Sequence, residues 1–154
     1  MFCCGAVIVL IAMAMLAGVG DAAVFRNALQ GELLSAANAK FALDLYGRHT
    51  SPADKNIFMS PLSISVALAM TYQGAREQTA SQMREVLHFA DVEDQHLHQT
   101  FADILSALND TERAHVTLYM ANRLFGEKTK EFLDQFVQAT LSYYAAALQP
   151  VDFK

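Results

Sequence analysis

Cysteine is confined to two neighbours, Cys3 and Cys4. Both lie in an uncharged leader, so the chain that follows it has no disulfide, no thiolate for a metal and no cysteine nucleophile, even in an oxidising compartment. Positive charge is scarce as well. Eleven Lys and Arg stand against sixteen Asp and Glu, a formal charge of −5. With no lysine run or basic stripe anywhere, the pattern argues against nucleic acid and anionic membrane surfaces as partners. There is no Gly-x-Ser-x-Gly elbow, and no His or Asp is positioned beside a serine, so the chain reads as no enzyme. Nothing repeats, and no low-complexity tract or linker divides the 154 residues, which by number suffice for one domain with a modest core.

Charge is missing altogether from residues 1–20, whose apolar stretch Ala6 to Ala17 fits the h-region of a signal peptide. Small residues at Gly18, Gly20 and Ala22 set cleavage after Gly20, or as late as Ala22. The expected product is a secreted, extracellular chain starting at Asp21 or Ala23. The leader has no Lys or Arg ahead of its apolar core, which keeps an uncleaved amino-terminal anchor open as the alternative.

The five histidines offer no metal centre. His96 and His98 are two apart on a predicted helix and point about 200° from each other, unlike an i, i+4 chelating pair. His49, His88 and His115 fall at element ends. Met59, Met70, Met83 and Met120 occur singly, as gap-fillers in a core do, with a ligand cleft as the competing reading. No cofactor is expected.

The most informative stretch is Asn56 to Ala75. Asn56 to Met59 reads as a short strand. Ser60-Pro61 then supplies a capping hydroxyl and a proline at the first helical position, where its missing N–H costs nothing. From Leu62 to Tyr72 apolar residues occupy every face, broken only by Ser63, Ser65 and Thr71. A helix of that kind is expected in the middle of a protein. It is shorter than the roughly 20 apolar residues of a membrane span, and Gly74 provides a C′ stop.

On either side the patterns are ordinary ones. Leu34, Ala37, Phe41 and Leu45 form one stripe of a helix over Leu33–Arg48, ended by Gly47 and the turn formers of residues 50–54. Thr79-Ala-Ser-Gln82 has capping-box spacing for a short helix to about His88. Leu97, Phe101, Ile104, Leu105 and Leu108 give an amphipathic helix over Asp94–Leu108. His115 to Phe125 alternates like a strand, Lys130 to Tyr144 is helical, and Ala146 to Phe153 is extended again. Two strands joined by a helix imply a crossover and parallel pairing.

Asn56-Ile57-Phe58-x-Ser60-Pro61-x-Ser63-Ile64-Ser65-x-Ala67-Leu68-Ala69-Met70, with Gly74-Ala75, Thr79 and Gln82-Met83 after it, resembles the first signature block of the serpins, the serine-protease-inhibitor fold family. The resemblance runs from about Leu33 to Phe153. It implies an α+β serpin fold of which this chain is the amino-terminal fragment: mostly helical, with helices A to E, one short sheet-B strand and two sheet-A strands. The family domain is more than twice this long, so residues 21–154 are expected to be the first part of a single truncated domain.

The resemblance further implies that the complete protein is a suicide-type inhibitor of serine or cysteine endopeptidases. In that family the protease cleaves a reactive loop, which inserts into sheet A and carries the acylated enzyme with it. The loop lies near the family's carboxyl terminus, so no reactive centre is expected in this chain. Ser60 and Ser63 match positions of the family's shutter, a hydrogen-bonded cluster beneath the place where sheet A parts, and Asn122 matches a recurrent position on strand 2A. Read from the residues alone, Ser60 is a helix cap and Asn122 an asparagine held by a local hydrogen bond. Helix D presents Lys and Arg to heparin in heparin-activated members. Here its neighbourhood holds Asp91, Glu93, Asp94, Asp103, Asp110 and Glu112, which argues against heparin. Asn109-Asp110-Thr111 is an N-glycosylation sequon in an expected loop. Two other readings stay open: a non-inhibitory serpin acting as carrier, storage or chaperone protein, and a small secreted helical binding protein.

Overall fold

The stripe Leu34, Ala37, Phe41 and Leu45 lies on the longest element. The computed structural model describes residues 19–49, 56–109 and 120–154, and the leader up to residue 18, with its h-region, lies outside them. Helix α1 spans Val19–His49. Leu34, Ala37 and Phe41 are buried and Leu45 packs beside them, while Lys40, Asp44 and Arg48 face solvent. The helix begins well before Leu33 and runs through both candidate cleavage positions. Gly47 sits inside its last turn and does not end it, because an interior glycine costs a helix only about 1 kcal/mol.

Helix α2, Pro61–Gly74, starts as the sequence requires. Ser60 is its N-cap, with the Ser63 N–H donating to Ser60 Oγ at 3.4 Å, and Pro61 opens the first turn. Ala75 closes it, its N–H bonded to the Tyr72 carbonyl at 3.0 Å. Burial is one-sided. Ser65, Val66, Ala69 and Met70 are inside, but Ser63, Ile64, Ala67 and Thr71 are exposed, so the expectation of burial on every face is not met by the elements present. Residues 56–59 form no ladder. A strand persists only where another strand answers its N–H and C=O groups, and no partner lies among the described residues. Ile57 and Phe58 are left in solvent.

Helix α3, Glu77–Val86, begins two residues before Thr79, so the expected capping box is interior to it. The reason is the corner before it. Arg76 Nη1 donates to the carbonyls of Gln73 and Ala75, closing the turn at once, and Glu77 places an acid at the positive end of the new helix. His88, in the left-handed region at φ 57°, then leads into a 3₁₀ turn at Phe89–Asp91.

Helix α4, Asp94–Asn109, buries Leu97, Phe101 and Leu105 as its period demands. Strand β1, Leu124–Glu127, pairs in parallel with β2, Leu148–Val151, in the register Leu124↔Leu148 to Glu127↔Val151. Helix α5, Asp134–Tyr144, makes the crossover between them. Most of the longer strand expected from His115 lies outside the described residues. Met120 to Arg123 are described and are not strand, since β2 offers no residue opposite them. Helix α5 starts four residues later than expected because Glu127 builds a turn there. Its carbonyl accepts from the Lys130 N–H, and its carboxylate accepts from the N–H groups of Thr129 and Phe153. Those backbone donors hold the Glu127 carboxyl below its ordinary pKa.

The core lies where α1, α2, α4 and the 3₁₀ turn meet, with Tyr144 and Ala146 closing it from the crossover side. A chain of rings runs through it. Tyr72 meets Phe89, Phe89 meets Phe101 and Phe101 meets Tyr144, each at 5.9 Å between centroids, a spacing at which aromatic pairs attract beyond their burial. Gly126 lets the Phe132 ring lie close against β1: a Cβ there would stand 2.6 Å from the ring's edge, and the partly exposed ring would have to shift.

Candidate functional site

The serine pair stands at the amino terminus of α2. Ser60 Oγ and Ser63 Oγ lie 2.8 Å apart and share one hydrogen bond. Ser60 has extended backbone, and the proline after it fixes the start of the helix, so the two hydroxyls are placed on the same turn. Both residues are exposed, and among the described residues no histidine or carboxylate is bonded to either. The pair continues along α2 into Ile64, Ala67 and Thr71, a bare and mainly apolar strip. On the opposite side Ser65 is fully buried, and its hydroxyl has no partner among the described residues.

Asn122 is not joined to these serines by any hydrogen bond among the described residues. It precedes β1, half-buried, on the wall of a cavity of about 740 Å³ between α4, residues 120–123 and the end of α5. Asn109, the last residue of α4, lies on the same wall and is exposed. Its Oδ1 accepts a hydrogen bond from the Met120 N–H at 3.1 Å, which leaves the side-chain amide nitrogen unoccupied by that bond. The other two residues of the sequon, and Glu112 with them, lie outside the described residues.

Around the start of α4 the structure assembles a polar network that residue spacing had not singled out. Gln30 of α1 is buried, and its Oε1 accepts from the Glu93 N–H at 3.1 Å, so one helix supplies a donor's partner at the head of another. Arg84 pairs with Asp94 and donates to the Val92 carbonyl at 2.9 Å and the Ala90 carbonyl at 3.2 Å. Tyr72 donates to Asp94 at 3.1 Å. One turn further on, His98 Nδ1 lies 2.6 Å from the Tyr144 hydroxyl. Burial pushes the His98 imidazole down to about 4 against the opposing pull of Asp94, and burial, with Tyr143 adding to it, raises the Tyr144 phenol above its ordinary range. The hint in the sequence was the i, i+4 relation of Asp94 and His98, which puts both on the face next to Phe101.

Asp91, Glu93, Asp94 and Asp103 are exposed around α4, an acidic surface. His96 approaches Glu93 at 3.6 Å, whereas His98 is bonded to Tyr144. No three His, Cys, Asp or Glu side chains among the described residues are grouped to hold a metal ion. None of the described helices is long and apolar enough to cross a membrane.

A family model described as serpin (serine protease inhibitor) matches residues 36–154. The leukocyte elastase inhibitor of Bos taurus is 49% identical over 124 residues, covering 79% of this chain and 32% of that protein. Leukocyte elastase inhibitor A of Rattus norvegicus is 45% identical over 126 residues, or 80% and 32% of the two chains, and the Homo sapiens leukocyte elastase inhibitor is 43% identical over 125 residues with the same coverage. The chain therefore spans about a third of the length of the curated relatives it matches. Among solved structures, ovalbumin from emu (Dromaius novaehollandiae) superposes with a TM-score of 0.68 at 30% identity, covering 78% of this chain and 34% of the ovalbumin. The second half of the first helix, the capped α2, the amphipathic α4 and the parallel crossover fall within the residues matched by the family model.

Proposed function

The chain belongs to the serpin family, and from that membership we propose that the complete protein inhibits serine endopeptidases, elastase-like enzymes first among them. The observation that carries the proposal is the 43–49% identity to proteins named leukocyte elastase inhibitor, across nearly four-fifths of this chain. By the family's mechanism the inhibitory act belongs to a reactive loop, and this segment supplies scaffold. The direct test mixes the complete protein with leukocyte elastase and with trypsin-, chymotrypsin- and papain-like proteases. A complex that survives denaturing electrophoresis is expected with at least one of them. Cleavage of the complete protein by all of them without such a complex would move the reading to a non-inhibitory serpin.

Within that reading Ser60 and Ser63 act as shutter residues. Their support is the shared hydrogen bond at the head of α2 and the bare strip beside it, which is the side a sheet would cover. Asn122 is proposed to join them only through strands that this chain does not supply. Residues 1–20 are proposed as a cleaved signal peptide, and the protein as secreted. The uncharged apolar leader and the small residues at Gly20 and Ala22 support this, and amino-terminal sequencing of secreted material beginning at Met1 would sink it. Asn109 is proposed to carry glycan. Its exposure and the amide nitrogen left open by the Oδ1 contact favour this, and an unchanged mobility for Asn109→Gln would remove it.

A further inference from the structure

We infer that His98 is an acid-released latch between α4 and α5: a neutral hydrogen-bond acceptor that holds the two helices together and lets them part when its ring takes up a proton. The latch goes beyond the inhibitory reading and does not depend on it.

Three helices share the one imidazole. Its Nδ1 meets the Tyr144 hydroxyl of α5 at 2.6 Å, the Tyr143 ring lies 5.9 Å away at 30°, and the Tyr72 ring of α2 lies 6.2 Å away at 32°. Tyr144 also meets it edge-on at 5.9 Å. The titratable and charged groups around it are Asp94 on its own helix, Tyr72 from α2, Arg84 from α3 and Tyr143 and Tyr144 from α5. Among the described residues the Tyr144 hydroxyl has no other hydrogen-bond partner, so we assign it as the donor and Nδ1 as the acceptor, which puts the imidazole's own proton on Nε2.

Protonation at Nδ1 reverses that bond. The new N–H faces the phenol oxygen, and the phenol's hydrogen must turn to find another acceptor among buried aromatic rings. Asp94 favours the cation, but its carboxylate is already engaged by Arg84 and Tyr72, and the loss of hydration on burial outweighs it. A base whose pKa is lower when packed than when free takes up more protons in the open state, so packing is complete above about 6.5 and is lost as pH falls toward 4. Each pH unit in that window multiplies the opening of α4 from α5 by at most about tenfold.

The test is hydrogen exchange on the complete protein at pH 7.5, 6.0 and 5.0, corrected for intrinsic rates, with His98→Gln alongside. Backbone amides of α4 and α5 should lose protection in the wild type as pH falls, while His98→Gln, which cannot charge, should show a flat profile. Equal protection at pH 7.5 and 5.0 in the wild type, or the same loss in His98→Gln, overturns the latch. If His98→Gln does not fold, the imidazole of the wild type is followed by NMR. A midpoint near 4 supports the proposal, and one at 6 or above ends it.

Discussion

Helices α2 and α4 are both apolar and both touch the core, yet they are satisfied to different degrees. On α4 the buried residues Leu97, Thr100, Phe101 and Leu105 fall on one stripe, and α1, α2 and α5 cover it. Exposed Gln95, Gln99 and Asp103 take the other side. On α2 the buried face is Ser65, Val66, Ala69 and Met70, and the rest is Ile64, Ala67 and the serine pair, uncovered. The difference is one of supply. A one-sided helix is completed by neighbours on one side, whereas a helix apolar all round needs neighbours that a third of the relatives' length does not provide.

The largest effect follows directly. A stable domain is held by only about 5–15 kcal/mol, so a helix face left uncovered weighs heavily. Residues 21–154 expressed alone should show helical far-UV signal with weak near-UV signal, bind hydrophobic dyes and tend to associate, whereas the complete protein melts sharply. A monomeric fragment with a cooperative melt would instead favour the small binding-protein reading.

Next come substitutions on the two helices. In the complete protein Phe101→Ala should cost about 3–5 kcal/mol, as loss of a fully buried ring does. Ile64→Ala, on the bare strip, should cost about 2–4 kcal/mol there if the rest of the domain covers that strip. In the fragment, where that strip is uncovered and no cooperative melt is expected, it should leave the helical far-UV signal nearly unchanged. A negligible effect of Ile64→Ala in the complete protein as well would mean that α2 keeps its bare face throughout.

Ser63→Ala should be smaller, about 1–3 kcal/mol in the complete protein, because it leaves Ser60 short of a partner in a covered site. If the adjoining sheet is built to open, this variant should also form polymers on mild heating. An unchanged melting point without polymers would make Ser63 a helix residue and nothing more. The smallest effect is expected at the head of α4. Gln30→Ala removes the acceptor of the Glu93 N–H and should lower stability by about 1 kcal/mol, with faster exchange confined to the first turn of α4. A loss spread over the whole molecule would show that Gln30 anchors α1 as well.

Local chemistry was legible in the order of residues. Ser60-Pro61 fixes a helix start because a hydroxyl and an imino ring act within one turn, and the period of Leu97, Phe101 and Leu105 fixes which side of α4 is buried because helix geometry is the same everywhere. The parallel pairing of β1 with β2 followed from a helix lying between two extended segments. Features that join distant parts of the chain were not legible. The strand expected at Asn56–Met59 is unmade, and β1 is short, because a strand's length is set by what lies beside it. Helix α3 begins where Arg76 closes a turn, and the turn that Glu127 makes with Lys130 delays α5 to Asp134, which capping spacing does not report. Gln30 meets Glu93 across 63 positions and His98 meets Tyr144 across 46. Neither partner changes the local pattern of the other, so folding alone could bring them together.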